Sequence, residues 1–391
     1  MKTIQINGIL VKKNVLKCSI CINGNNETIT VDVTEKLQSY LTTDRIDFVV
    51  VGLLCFAINH GYDFESHLPI TEDLYYNLNT QLIDILAINP GGHRTRINAP
   101  VISAIQERGE IVATGISCGV DCFYTIATHS GRNVPKANRI TDLCFFDVGS
   151  HETGKSDGSS RALYEGRLSL CKHFAEENNY GFLSINNDIY KVIDKYAAGG
   201  YSHLENHTFM ALACIYAVQK GFSKYYYSAG YSYAEFHCSK NKKDNQLDSA
   251  YYDLLTLTAC SVTGLQFSSI GASLDRLEKT KVVADYKPAF NYLNVCVNTV
   301  KNDSKCFKCV RTMLTLNVLG KLENFNNVFD VEYFKSHLSD SLGQLYIEAV
   351  WYHDDYMIPL YQLYAKELTI ALKIKAVTKK FFGAIYRRLK R

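Results

Sequence analysis

The feature that most constrains the fold is an alternation of short apolar runs with longer helical segments between residues 110 and 285. Each run is followed by a segment of helical periodicity, such as 161–179 or 203–220. The strand-like runs are 111–116, 143–148, 181–185, 225–229 and 265–270. This order predicts a parallel sheet with helices on both faces, in which ligands bind at the carboxyl ends of the strands.

The flanking segments have different patterns, and a chain of 391 residues is long enough for two or three domains. Residues 1–45 read as three short strands, and helical stretches follow at about 46–60 and 71–87. We therefore predict an N-terminal α+β domain at 1–105, a nucleotide-binding domain at 106–288, and a cysteine-cluster and helical C-terminal region at 289–391.

Targeting and membrane segments are not evident in the sequence. The opening MKTIQINGIL lacks the apolar core of a signal peptide. The longest apolar run, 48–59, is far shorter than the roughly 20 residues that a membrane span needs, so a buried helix is expected there. The thirteen cysteines are an odd number without an export signal, which favours a reducing, cytoplasmic location.

The charge distribution is asymmetric. The chain carries a net charge of +3, but from Leu368 onward there are eight Lys or Arg residues and no acid, so the remainder carries 3 − 8 = −5. A mildly acidic body argues against extensive binding of nucleic acid, although contact with tRNA is left open.

A loop at 117–122 joins the first run of the alternating region to a helix. Such a turn directs backbone N–H groups and about half a positive charge toward a ligand, which suits a phosphate. Ser117 can donate its hydroxyl to a phosphate oxygen, and Gly119 lets the backbone curl. Asp121 would repel a bare pyrophosphate, so a Mg²⁺ ion is expected between them.

The loop sequence Ser-Cys-Gly-Val-Asp-Cys resembles the Ser-Gly-Gly-X-Asp-Ser signature of the PP-loop ATP pyrophosphatases. That superfamily cleaves ATP to AMP and pyrophosphate while adenylating a substrate. The resemblance covers roughly residues 110–285 and departs at Cys118, which replaces a glycine, and at Cys122, which replaces a serine. It implies an α/β fold with a five-stranded parallel Rossmann-like (HUP) sheet, an N-terminal α+β domain and a helical C-terminal region.

The resemblance also implies roles for residues at other strand ends. Asp147 would lie at the adenine, and Ser228 with Gly230 would allow close approach to the α-phosphate. Arg276 and Lys279 resemble the basic residues that close over the triphosphate. The catalytic set is therefore predicted to be Ser117, Asp121, Arg276 and Lys279. The predicted ATP contacts are Ser117, Cys118, Gly119, Val120, Asp121, Cys122, Asp147, Asn187, Ser228 and Gly230.

Polar residues elsewhere leave alternatives open. His151, Glu152 and Lys155 follow the second strand and either contact substrate or form a surface loop. His203 and His207 share one face of a helix, where helix capping or substrate contact is a better interpretation than metal binding.

Cys296, Cys306 and Cys309 have the spacing of metal ligands, because a turn can direct the two thiolates of a Cys-x-x-Cys pair at one tetrahedral centre. The arrangement resembles the zinc site of the 7-cyano-7-deazaguanine synthases, which have four cysteines. The additional ligand would here fall near Asp303. We expect Zn²⁺, with a set of reduced, partly buried thiols as the alternative.

The C-terminal segment has apolar residues at helical spacing, flanked by its eight cations. The apolar positions are Ile370, Ile374, Val377, Phe381, Ile385 and Leu389. Such a helix can dock on the acidic body, lie on an anionic membrane as a peripheral contact, or bind RNA.

Together these features predict an AMP- and pyrophosphate-forming enzyme. It would adenylate a carboxyl or carbonyl group of a small molecule for attack by an amine, ammonia or sulfur nucleophile. One alternative is a tRNA-thiolating enzyme in which Cys306 and Cys309, or Cys118, carry sulfur. Another is a regulatory or scaffold protein that binds ATP without turnover. A homodimer is left open.

Overall fold

The computed structural model describes residues 2–151, 159–240, 247–297 and 299–389, with side chains up to 382 in the last helix. The chain divides into two compact units. Unit 1 comprises Met1–Ser117 and Thr128–Ser273, and unit 2 comprises Cys118–Ala127 and Leu274–Arg391. Glu152 and Lys155 lie outside the described residues.

Unit 1 contains the strands of the described chain, and their alternation with helices follows the sequence pattern. The strands are β1 (Lys2–Lys12), β2 (Val15–Ile22), β3 (Asn25–Val33), β4 (Tyr62–Ser66), β5 (Ile70–Thr71), β6 (Ile97–Asn98), β7 (Val101–Ile102), β8 (Ile111–Gly115), β9 (Asp142–Asp147), β10 (Gly181–Asn187), β11 (Phe222–Ser228) and β12 (Gln266–Ile270). The first eight helices are α1 (Asp47–His60), α2 (Glu72–Asn77), α3 (Ile83–Leu86), α4 (Val120–His129), α5 (Ser159–Glu177), α6 (Ile189–Tyr196), α7 (His203–Ala217) and α8 (Asp253–Ala259). Most of α4 belongs to unit 2.

The main sheet of the described residues has ten strands in the order β12-β11-β8-β9-β10-β3-β2-β1-β4-β6. The pairs among β12, β11, β8, β9 and β10 are parallel. The chain moves outward from β8 through β9 to β10, then returns to the other side of β8 with β11 and β12. The strand order therefore reverses at β8, the position where sheets of this type commonly bind ligands.

The predicted fold class, a five-stranded parallel sheet beside an N-terminal α+β domain, is wrong. β3 pairs antiparallel with β10, with Ile185 opposite Val33 and Asn187 opposite Val31, so the N-terminal strands continue the same sheet. The result is one large mixed sheet in which β1, β2 and β3 are antiparallel. The physical reason is that β10 would otherwise present an unpaired edge of N–H and C=O groups, and β3 satisfies them.

The core of unit 1 includes a helix pair, α1 and α7, which pack closely together. Every residue of α1 from Asp47 to Ile58 is buried, which confirms the expectation of a buried helix. Gly52 permits the close approach, because a Cβ atom there would lie 3.1 Å from Cβ of Ala213. The helix ends at Gly61, whose left-handed φ of 77° suits glycine.

Unit 2 is helical in its C-terminal part, as the sequence predicts. Its helices after α8 are α9 (Arg276–Asp285), α10 (Phe307–Val318), α11 (Val331–Ser336), α12 (Leu338–Val350), α13 (Ile358–Leu363) and α14 (Ile370–Leu389). α10 contacts α9, α11, α12 and α13, and α12 contacts α14. Across the described part of the chain, no helix has both the length and the apolar character needed to cross a bilayer.

Candidate anion site and metal centre

The predicted strand-end residues of unit 1 share one edge of the sheet. Asp147, Asn187 and Ser228 are the last residues of β9, β10 and β11, and Ser117 follows β8 by two positions. Parallel neighbours bring their carboxyl ends to the same edge, so the structure groups these residues as predicted. Their assignment to nucleotide binding stays a prediction.

In unit 2, the loop before α4 has the tight backbone that the sequence suggests. Cys118 is fully buried and has a left-handed φ of 58°, a conformation that residues other than glycine rarely adopt. Its carbonyl accepts a hydrogen bond of 2.8 Å from the backbone N–H of Asn294. Cys122 is also buried, and its thiol donates to the Gly119 carbonyl at 3.2 Å. Both cysteines therefore have structural contacts, Cys122 inside the loop and Cys118 with Asn294 outside it.

Asp121, the second residue of α4, binds two cations of α9. Its Oδ2 lies 2.8 Å from Nη1 of Arg276, and its Oδ1 lies 3.5 Å from Nζ of Lys279. The Lys279 side chain is only 2% exposed, which is rare for an ammonium group. The structure thus brings three of the four predicted catalytic residues together in unit 2, at the N-terminal turn of α4, where a helix attracts negative charge.

Two further cations of α10, Lys308 and Arg311, belong to this neighbourhood. The ring of Tyr356 lies beneath both guanidinium groups, with its centroid 5.5 Å from Arg276 and 4.6 Å from Arg311. Arg311 is only 6% exposed, and among the described residues its Nε has no hydrogen-bond partner. We call Arg276, Lys279, Lys308 and Arg311 the basic cluster.

The pKa values of Lys308 and Arg311 reflect burial first and the repulsion of neighbouring like charges second. Burial, followed by the charge of Arg276, lowers the pKa of Arg311 to about 10. Burial and the two neighbouring guanidinium groups also lower the pKa of Lys308. Burial by itself would lower the pKa of Arg276, but the interactions of this guanidinium group with Asp121 and Tyr356 outweigh the effect of burial, so the pKa of Arg276 is raised. The basic cluster therefore holds more positive charge than its carboxylates balance, which suits an anionic ligand.

Sequence reasoning missed Lys308, Arg311 and Tyr356. A signal for the first two was present, because they lie at i and i+3 in the first two turns of α10, near the helix N-terminus, where the helix dipole disfavours cations. Tyr356 is distant in sequence from Arg276 and Arg311, and the residues around it contain no pattern that indicates this contact. Only the packing of the unit brings it to the basic cluster.

The cysteine prediction is confirmed as a cluster that can hold a metal. The ligand atoms of Cys296, Asp303, Cys306 and Cys309 all lie within 4.8 Å of one another. Tetrahedral Zn²⁺ with Zn–S bonds of about 2.3 Å would place its ligands about 3.8 Å apart, so the spacing fits. We call these four residues the cysteine cluster.

The cysteine cluster is held in place by its own backbone. Cys306 caps α10, and the Asp303 carboxylate accepts hydrogen bonds from the N–H groups of Lys305 and Cys306 at 2.9 and 2.8 Å. Burial opposes ionisation of Asp303, but those N–H groups and the thiols of Cys309 and Cys296 lower its pKa. An ionised carboxylate among three thiols is a suitable donor set for a divalent cation.

A third group of polar side chains lies in unit 1. The sequence pattern indicated its histidine, His207, but not the two partners of that histidine. His207 of α7 lies with Nε2 2.9 Å from Oδ1 of Asp248 and Nδ1 2.6 Å from the Tyr227 hydroxyl. Burial would raise the pKa of Asp248, but His207, the Ala250 N–H and a tyrosine hydroxyl lower it. Tyr227 is the penultimate residue of β11, so this Asp–His–Tyr relay stands near the carboxyl edge of the sheet. Its geometry allows a proton to be shared along the relay.

Comparisons with models of known protein families, with characterised proteins and with solved structures found no match to the chain.

Proposed function

We propose that this protein binds the polyphosphate of ATP at the basic cluster and uses it to adenylate a carboxyl or carbonyl group of a small molecule. The observation that carries the proposal is the basic cluster itself, in which Arg276 and Lys279 bind Asp121 at the N-terminal turn of α4 and the charge of Asp121 also acts on Lys308 and Arg311. The resemblance of residues 117–122 to the PP-loop signature supplies the reaction type.

The charge of the basic cluster supports an anionic ligand. The basic cluster carries four positive charges, and Asp121 and Asp354 are the two carboxylates whose charges raise the pKa of Arg311, so the net charge of these six groups is 4 − 2 = +2. Buried like charges repel one another unless an anion is added, and the Nε atoms of Arg276 and Arg311 have no hydrogen-bond partner within the part of the chain that the structure describes. A polyphosphate would supply both the charge and the acceptors.

The chemistry would depend on positioning and charge neutralisation. ATP supplies an electrophilic α-phosphorus, to which a substrate oxygen adds as pyrophosphate leaves. Arg276 and Lys279 would neutralise the charge that develops on the leaving pyrophosphate, and no side-chain nucleophile is needed.

The case for Mg²⁺ at Asp121 is weaker than the sequence suggested. The expectation rested on repulsion between Asp121 and phosphate, but Arg276 and Lys279 already compensate that carboxylate. We therefore propose that Asp121 orients the two cations. Mg²⁺ would then arrive with the nucleotide, bound to its phosphate oxygens.

We propose Zn²⁺ as the metal of the cysteine cluster, in a structural role. Cys296, Asp303, Cys306 and Cys309 would hold it, which leaves no open position for a substrate. The cysteine cluster lies between Asn294, which binds the carbonyl of Cys118, and the first turn of α10. Metal binding would therefore fix both the loop and the helix that carries Lys308 and Arg311.

The proposal is tested with α-labelled ATP, Mg²⁺, ammonia and a panel of carboxylic acids. AMP and pyrophosphate are expected, and formation of ADP alone would contradict the reaction. ATP binding is measured separately by calorimetry on Lys279→Met and on Lys281→Met, which removes an exposed charge from the same helix. We expect at least tenfold weaker binding for Lys279→Met, or about 1.4 kcal/mol, and no change for the control. Equal affinities in the two variants would exclude the basic cluster as the ATP site.

A second candidate function, ATP binding without turnover, is favoured by one observation. Cys118 occupies a left-handed position where the PP-loop signature has glycine, and its buried side chain takes up space inside the loop. If the wild type binds ATP but releases no pyrophosphate, and Cys118→Gly with Cys122→Ser gains that activity, the protein is a nucleotide-responsive regulator. A double variant that remains inactive would remove this explanation.

A further inference from the structure

Helix α14 presents an apolar stripe to solvent. Ile370, Ile374, Val377 and Phe381 follow one another at spacings of four, three and four residues, which places them on one face of a helix. Ile370, Ile374 and Phe381 are 77%, 62% and 66% exposed. An exposed apolar stripe of this length is unusual on a soluble surface and indicates an interaction site.

A different face of α14 packs on α12. Lys375 and Lys379 lie 3.4 and 3.2 Å from the carboxylate of Asp340. Ala376 lies against Gly343, where an added Cβ would be 3.1 Å from the alanine Cβ. An amphipathic helix normally buries its apolar face, but α14 contacts α12 through Ala376, while the stripe and the side chains of Lys375 and Lys379, 63% and 69% exposed, remain in contact with solvent.

Exposed aromatic residues lie on and beside α14. Phe382 is exposed, and so are Trp351 and Tyr352, which follow α12. Nζ of Lys380 lies 3.8 Å from the ring centroid of Tyr352 and 4.6 Å from that of Trp351. Tryptophan and tyrosine beside lysine are characteristic of the interfacial region of a bilayer. We call the stripe with Phe382, Trp351 and Tyr352 the α14 surface.

We propose that the α14 surface binds an anionic lipid bilayer, with α14 lying in the headgroup region. The stripe and aromatic rings would enter the acyl boundary, while the cations of the tail attract acidic headgroups.

The charge of the C-terminal segment favours a bilayer over a second copy of the chain, and the apolar stripe favours a bilayer over a nucleic acid. The chain from Leu368 onward has eight basic residues and no acid, so a second copy docked on the same surface would bring two strongly positive segments together. A nucleic acid would match the charge but would leave the apolar stripe without a partner. The inference is independent of the proposed enzymatic function.

The test uses the full-length protein and vesicles of phosphatidylcholine alone or with 30% phosphatidylglycerol. Trp351 is the only tryptophan of the chain, so its fluorescence reports directly on the α14 surface. We expect a blue shift of its emission and co-sedimentation with the anionic vesicles, both reduced by 0.5 M salt. The double variant Ile374→Asp with Phe381→Asp should bind at least tenfold more weakly. The matched control is Ile88→Asp with Leu10→Asp, which makes the same charge change at two exposed apolar residues of unit 1 and should bind like the wild type.

Three results would overturn the proposal. The first is a wild type that binds neither kind of vesicle, which needs no variant and is unaffected by folding defects. The second is a stripe variant that binds as tightly as the control while both retain the melting temperature of the wild type. The third is a wild-type dimer in sedimentation velocity that the stripe variant abolishes, since the stripe would then be an interface between two copies.

Discussion

Replacing Asp121 with asparagine tests the arrangement at the start of α4 most directly. The substitution keeps the shape of the side chain but removes the negative charge that Arg276 and Lys279 share. Because Lys279 is almost completely buried, its ammonium group would lose a charge partner that water cannot replace. We therefore expect both a loss of stability and a change in anion affinity.

The size of the stability loss follows from burial. Removing one partner of a buried ion pair destabilises a protein by about 3–5 kcal/mol, and since Asp121 is itself 22% exposed we expect about 2–3 kcal/mol. The matched control is Asp285→Asn. Asp285 is the last residue of α9, the helix that carries Arg276 and Lys279, and the substitution breaks its exposed ion pair with Lys321. An exposed pair contributes about 0–1 kcal/mol, so the control should change stability little.

Urea unfolding followed by the fluorescence of Trp351 reports on unit 2, in which this tryptophan lies. With a slope of about 2 kcal/mol per molar urea, Asp121→Asn should lower the midpoint by about 1–1.5 M. Equal midpoints for Asp121→Asn and Asp285→Asn would refute the view that this carboxylate holds a buried lysine in place.

Anion binding gives a second, independent measurement on the same variant. Arg276, Lys279 and Asp121 together carry 1 + 1 − 1 = +1, and the substitution raises this to +2. Inorganic pyrophosphate without metal should therefore bind several-fold more tightly to Asp121→Asn. If Asp121 instead holds Mg²⁺, the variant should lose affinity for ATP only when Mg²⁺ is present.

Three further predictions concern the rest of the molecule. Cys309→Ser should lower bound zinc, measured by elemental analysis of protein expressed with zinc, from about one equivalent to nearly none, whereas Cys238→Ser should retain it; equal zinc content would exclude the cysteine cluster. Burial opposes ionisation of Asp63, but the Arg96 backbone N–H, His93 and the Arg96 side chain lower its pKa below the unfolded value of about 3.9, so its contribution is present above that pH and lost as the pH falls through the folded pKa. Asp63→Asn should accordingly destabilise the protein by about 2 kcal/mol at pH 7, and the difference from the wild type should shrink below pH 4 in acid unfolding; a constant difference would contradict the assignment. Changing Tyr227 to Phe removes the hydroxyl that contacts His207, and if the Asp–His–Tyr relay takes part in turnover, the pH profile of the rate should shift while the melting temperature stays within about 2 °C of the wild type.

The basic cluster and the cysteine cluster are connected through the chain. Cys306 begins α10, and Lys308 and Arg311 lie in its first two turns. Zn²⁺ held by three thiolates and one carboxylate would carry a net charge of 2 − 4 = −2 at the N-terminus of α10, which would offset the two basic residues placed there. Zinc removal is therefore expected to loosen α10 and weaken anion binding, whereas anion removal should leave zinc in place.

Local patterns in the sequence determined the secondary structure and the chemistry of single segments. Alternating apolar runs gave β8 to β12 and the intervening helices, because the apolar periodicity of an element depends on which of its faces is buried. The spacing of Cys306 and Cys309, with Asp303 at the additional ligand position, likewise predicted a cluster that the structure contains. Such features need only neighbouring residues, so they can be recognised without a fold.

The tertiary structure decided what depends on distant segments. Sequence could not show that β3 completes the edge of β10, since either strand would have satisfied its own pattern in a separate sheet. Nor could it show that Tyr356 lies beneath Arg276 and Arg311, or that Lys375 and Lys379 of α14 pair with Asp340 of α12. Edge pairing and ion pairing are properties of two surfaces that meet, and only the folded chain determines which surfaces meet.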